Sequence, residues 1–82
     1  MFKIIWDEKA YEKLNKLEPI ISRRIAKKIE ELSENPFSKD IKRLKGRNDF
    51  RLRIGDYRVI FSIERNNIQI LKVGHRKNIY DF

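Results

Sequence analysis

The chain has 82 residues, 40% of them hydrophobic, and a formal net charge of +8 from 20 Lys and Arg against 12 Asp and Glu. That length suits one domain over residues 1–82 with a single modest core, and no apolar run approaches the roughly 20 residues of a membrane span. The absence of cysteine excludes a disulfide framework and thiolate metal sites, and the polar stretch after MFKIIW shows no secretory signal, so a cytoplasmic protein without a membrane partner is expected.

FKIIW, apolar and β-branched, reads as a short first strand. Asp7 suits the N-cap of a helix through about Leu17, with Ala10, Leu14 and Leu17 at helical spacing. Glu18-Pro19 interrupts it, because proline disfavours a helical residue before it but fits the first turn of a new helix. The second helix is predicted from Pro19 to about Ser33. Ile21, Ile25, Ile29 and Leu32 form one apolar stripe, and Lys27–Glu31 has the spacing of an i,i+4 ion pair. Asn35-Pro36 stops it, leaving a helical hairpin with one face to bury.

Charge changes past this point. Residues 1–35 hold eight Lys and Arg against seven Asp and Glu, a balance of +1, whereas residues 36–82 hold twelve against five, or +7. The second half therefore carries a field suited to nucleic acid or an acidic protein. Residues 37–48, FSKDIKRLKGRN, form a basic connector with room for a strand near Ile41–Leu44. From Asp49 the period falls from 3.6 to 2, and DFRLRI, YRVIFSIE and NIQILKVG read as three strands. The order predicts an α+β domain: an N-terminal strand, a helical hairpin, then an antiparallel three- to four-stranded meander, helices on one face.

Gly55-Asp56 is a strong two-residue hairpin signal. It sets Ile54 against Tyr57, Arg53 against Arg58 and Leu52 against Val59. One face then collects Phe50, Leu52, Ile54, Tyr57, Val59 and Phe61, and the other Arg51, Arg53, Arg58 and Ile60. Like charges directly opposite one another are destabilising without a counter-charge. The last strand adds His75 to the arginine face if its turn is even-length, or Arg76 if a three-residue Arg65-Asn66-Asn67 loop places Asn67 in the left-handed region. We expect the second. Outward arginines on an edge often serve solubility alone. Three on one patch, with Lys45, Arg47 and Arg76 in reach, point to phosphate binding.

Conventional catalytic sets are nearly absent. His75 is the only histidine, the acids of the C-terminal half are scattered without Mg²⁺ or Zn²⁺ ligand spacing, and no glycine loop cradles a phosphate. An enzyme of this composition would work through arginine, lysine and tyrosine, without metal or cofactor. RNA cleavage suits such a set, because RNA supplies its own nucleophile in the 2′-hydroxyl. Arginines would align and neutralise the phosphate, and Tyr80 would move a proton or stack a base. From the residues alone, a metal-free ribonuclease and a noncatalytic RNA- or ribosome-binding module both stay open.

LKG at 44–46, FRLRIGDYRVIF at 50–61 and VGHRKNIY at 73–80 resemble the RelE/ParE superfamily of toxin–antitoxin systems, closest to RelE. The resemblance implies a RelE-like fold over the whole chain. It also implies a toxin that cleaves mRNA in the ribosomal A site, by 2′-hydroxyl attack giving a cyclic phosphate and a free 5′-hydroxyl. The family's functional positions fall on Arg51 and Arg53 before the hairpin turn, Arg58 in the YR pair, Arg76 after the last strand, and Tyr80. Arg51 and Arg53 stand where some members carry lysine. Lys45, Arg47 and His75 are assigned to substrate binding around them. The implied partners are the ribosome and mRNA, a RelB-like antitoxin with acidic or amphipathic helices, and operator DNA only through the antitoxin complex. Within the superfamily the alternative is a ParE-type toxin, which inhibits DNA gyrase.

Overall fold

Asp7 turns the chain from strand into helix. In the computed structural model, which describes residues 1–46 and 48–79, strand β1 (Lys3–Trp6) leads into Asp7. The Asp7 side chain accepts a hydrogen bond from the Lys9 N–H at 3.2 Å and caps helix α1 (Glu8–Lys16). Glu8 in its first turn and Lys13 and Lys16 in its last complement the helix dipole. Glu18 is extended (ψ 137°), as a residue before proline must be, and Pro19 opens α2 (Pro19–Leu32). Ala10 and Leu14 of α1 and Ile25, Ile29 and Leu32 of α2 are buried. An ion pair on α2 joins Lys28 to Glu31 at 3.7 Å.

Four more strands follow: β2 (Ile41–Arg43), β3 (Asp49–Ile54), β4 (Tyr57–Glu64) and β5 (Asn67–His75). The sheet order is β1-β5-β4-β3-β2. β2 to β5 form the expected antiparallel meander, but β1 joins it parallel to β5, Lys3 opposite Asn67 and Trp6 opposite Ile70. The sheet is therefore mixed and five-stranded. A parallel neighbour needs a long crossover, and the α1–α2 hairpin begins that connection.

Alternation gives the sheet two unlike faces. Leu52, Ile54, Val59, Phe61, Ile68, Ile70 and Val73 pack with the buried helix residues as one core cluster. Phe50 stacks on Phe61, ring centroids 5.5 Å apart. Each fully buried aliphatic or aromatic side chain contributes about 1.5–3 kcal/mol through water exclusion. No helix among the described residues is long and apolar enough to cross a membrane.

The β4–β5 turn differs from expectation. Glu64 faces Asn67, so the loop is the two residues Arg65 and Asn66, with Arg65 rather than Asn67 at positive φ (57°). Further along, Ile60 pairs with Lys72 and Phe61 with Ile70, leaving Leu71 as an extra residue in a β-bulge. The bulge shifts the alternation of β5 by one. Before it, Asn67 and Gln69 share the face away from the helices; after it, Lys72 and Gly74 do. An even-length turn thus coexists with Arg76 on the arginine side and His75 on the helix side.

Candidate functional site

The Gly55-Asp56 turn brings two arginines side by side. Gly55 takes φ 57°, where a Cβ would be strained, and the register is Ile54–Tyr57, Arg53–Arg58 and Leu52–Val59. The Arg53 N–H points away from β4, to the Asp40 carbonyl at 3.0 Å. Arg53–Arg58 is therefore a pair not bonded to each other through the backbone, the kind whose side chains approach more closely. Two rows of cations cross this face. One runs Lys42, Arg51, Ile60, Lys72, and the next Arg53, Arg58, Gly74. Arg76 lies one step beyond the second row, at the hairpin tip, its N–H donating to the Asp56 carbonyl at 2.8 Å.

Repulsion within the row is offset residue by residue. Arg53 Nη2 lies 3.2 Å from Asp40 Oδ1, and Arg76 Nε lies 3.6 Å from Asp56 Oδ1. Arg58 Nη1 donates to the carbonyls of Gly55 at 2.7 Å and Tyr57 at 2.9 Å. The turn that creates the crowding thus also holds one of the crowded groups. The two ion pairs are open to solvent, their arginines 57% and 56% exposed, and exposed pairs contribute only about 0–1 kcal/mol. A phosphate, which accepts two parallel N–H bonds from a guanidinium, is a competitive partner for either arginine. Arg51 is half-buried with its Nε out of contact with solvent.

Arg51, Arg53, Arg58 and Arg76 are therefore brought together on one face. Lys45 and His75 are not part of that group. Lys45 sits in the β2–β3 turn beside Gly46 (φ 73°), at the far end of β3 from the Gly55-Asp56 turn. That separation is about 17 Å of strand at roughly 3.3 Å per residue. His75 pairs with Tyr57 on the helix side, ring centroids 5.4 Å apart, and its Nδ1 accepts from the Lys77 N–H at 3.2 Å. The Leu71 bulge is what turns it there. Arg47 and Tyr80 lie outside the described residues.

Sequence reading missed Lys42 and Lys72, which the register adds to the arginine face, and the counter-ions Asp40 and Asp56. Lys72 had a signal: Ile68 and Ile70 alternate in one phase and Val73 in the other, so a residue must be inserted between them. A concave space of about 450 Å³ lies between α1 and the part of β5 beyond the end of β1, lined among others by Lys9, Lys13, Tyr57, Lys72, Gly74 and His75. It touches the arginine face at Lys72 and Gly74, but none of the four arginines lines it, so it is not the arginine site. The arginine face is an open surface, suited to an extended polyanion rather than an enclosed small molecule. Among the described residues, no three His, Asp or Glu side chains converge as a metal-binding set.

Comparison with known proteins matches residues 4–80 to the family described as "ParE toxin of type II toxin-antitoxin system, parDE". Toxin RelE3 of Methanocaldococcus jannaschii is 40% identical over 67 residues, 76% of each chain. Among solved structures, the RelB-RelE antitoxin-toxin complex from Methanococcus jannaschii aligns with TM-score 0.77 and 31% identity, covering 94% of this chain and 95% of the other. The archaeal RelE-RelB complex from Pyrococcus horikoshii OT3 aligns with TM-score 0.82 and 27% identity, over 94% and 97%. The isolated E. coli RelE toxin shares the fold at TM-score 0.80 and 21% identity, over 92% and 84%.

Proposed function

Because this chain belongs to the RelE/ParE superfamily, as a type II toxin of the RelE kind, we propose that it is a ribosome-dependent mRNA endoribonuclease that stops translation. The observation that carries this reading is the Arg53–Arg58 row with Arg51 beside it and Arg76 next to it at the hairpin tip, on the side of the sheet away from the helices. An RNA phosphate seated there meets several planar cations at once. The 2′-oxygen attacks phosphorus as its proton departs, the P–O5′ bond breaks, and the 5′-oxygen takes up a proton. The products are a 2′,3′-cyclic phosphate and a 5′-hydroxyl.

Arginine stays protonated in proteins, so these side chains act by orienting the phosphate and stabilising the charge that grows on it, not by accepting the proton. Arg58 is the best prepared of them, since two carbonyls hold its guanidinium before substrate arrives. Tyr80 is assigned to proton transfer or base stacking, and Lys42 and Lys72 to flanking phosphates. Residues 1–82 act as one toxin domain in the cytoplasm. A RelB-like antitoxin with acidic, amphipathic helices is the cognate partner; two of the related solved structures are RelB–RelE complexes, and the +7 balance of residues 36–82 suits an acidic one. Operator DNA is reached through that complex.

The family description names ParE, which favours one second reading, inhibition of DNA gyrase. Purified protein added to programmed ribosomes, with mapping of mRNA ends and a gyrase supercoiling assay alongside, separates the two. Cleaved mRNA ending in a cyclic phosphate is the expected result. Intact mRNA together with lost supercoiling would overturn the ribonuclease reading. Ribosome binding with neither effect would leave a noncatalytic module.

A further inference from the structure

Two fully sealed apolar residues, Ile60 (0% exposed) and Ile79 (1%), stand outside the core cluster. Ile60 lies on the arginine face between Arg51 and Lys72, diagonal to Gly74. Ile79 lies against Gly74 itself: a Cβ built on Gly74 would sit 3.3 Å from Ile79 Cδ1. Gly74 differs from the other two glycines in one respect. Gly46 and Gly55 adopt positive φ, which favours glycine whatever surrounds it, whereas Gly74 lies in a strand without that conformation. What glycine supplies at 74 is the space that Ile79 occupies.

The segment between them is tied at both ends. The Arg76 N–H bonds the Asp56 carbonyl at 2.8 Å, and the Asn78 and Ile79 N–H groups bond the His75 carbonyl at 2.9 and 3.0 Å. Arg76 is thus carried on a short turn pinned to the hairpin tip on one side and plugged into Gly74 on the other. Gly74 is the cross-strand partner of Arg58, so the plug and the arginine row share the same few ångströms of sheet. We propose that Gly74 and Ile79 form a socket and plug whose role is to hold Arg76 beside Arg58, making both of them positioning residues for the phosphate site. The proposal rests on the ribonuclease reading for its kinetic consequence, but not for its structural one.

The test is a two-residue cycle, using the full chain. Gly74→Ala places a methyl against Cδ1 of Ile79, and Ile79→Val removes that Cδ1. In Gly74→Ala, single-turnover cleavage of mRNA on saturating ribosomes falls by about tenfold while ribosome affinity changes less than about threefold. Hydrogen exchange at the Arg76, Asn78 and Ile79 amides accelerates. In the double variant Gly74→Ala/Ile79→Val, both rate and protection return to within about threefold of the parent, a coupling that additive damage would not give. A Gly74→Ala protein with parental rate and protection overturns the proposal, as does a double variant no better than the single. If Gly74→Ala melts globally, Ile79→Ala, which empties the socket without a clash, takes its place and must loosen the same three amides. If the parent cleaves no RNA, the ribonuclease reading fails, and the exchange measurements alone decide the plug.

Discussion

Arg58 differs from its neighbours in what holds it. Arg53 and Arg76 lean on carboxylates in open solvent, whereas Arg58 rests on carbonyls of the turn that precedes it. Both carbonyls are held by Nη1 alone, leaving Nη2 and Nε to face a phosphate; a lysine keeps the charge but has only one nitrogen for both tasks. Arg58→Lys is expected to lose about 10²-fold in single-turnover mRNA cleavage, with a much smaller change in ribosome affinity. A variant keeping a third of the parental rate would show that charge alone suffices. Asp56→Asn removes the counter-charge of Arg76. Urea melts should shift by less than about 1 kcal/mol, while affinity for a short RNA, read by fluorescence anisotropy, should rise; unchanged affinity would mean that Asp56 does not compete with phosphate. The arginines were legible from GD and the alternation around it. Their counter-ions were not, because Asp40 reaches Arg53 only once β2 has paired with β3.

At the scale of elements, what was legible is what short-range chemistry decides. Asp7, Pro19 and Asn35-Pro36 mark the helix limits, and Gly55-Asp56 sets the first hairpin. The second hairpin was harder because its turn and its bulge act in opposition. An even turn alone would have put His75 with the arginines, and the extra Leu71 reverses that. The turn itself is suboptimal: Arg65 sits at φ 57°, a conformation that costs an L-residue about 1–2 kcal/mol. Glycine removes that cost and returns part of it as unfolded-chain entropy. Arg65→Gly is therefore expected to stabilise the protein by up to about 1 kcal/mol, seen as a higher urea midpoint at constant m-value. A lower midpoint would mean that the Arg65 side chain contributes more than its backbone costs. The partner of β1 was not legible, since four apolar-leaning residues carry no mark that distinguishes one sheet edge from the other.

For the whole molecule, the uneven charge noted in the sequence becomes a division of labour. The balanced residues 1–35 build β1 and both helices, and the +7 belongs to residues 36–82, the stretch of chain that carries the meander. The fold class was legible because the two periods occupy separate stretches of chain. The join between them was not, and it is made by β1, whose Lys3 and Asp7 N–H groups bond the Asn66 and Ile70 carbonyls. That join has a kinetic meaning. The meander strands meet through local turns, whereas β1 must close a loop containing nearly the rest of the domain before gaining any bond, and such closures come late. Pulse-labelled refolding should protect β3 and β4 amides before those of Lys3 and Asp7; simultaneous protection would refute this order. During synthesis the effect is stricter. The first strand leaves the ribosome early and has no partner until residues 67–70 follow it, so the nascent chain cannot complete its sheet while those residues are still unmade.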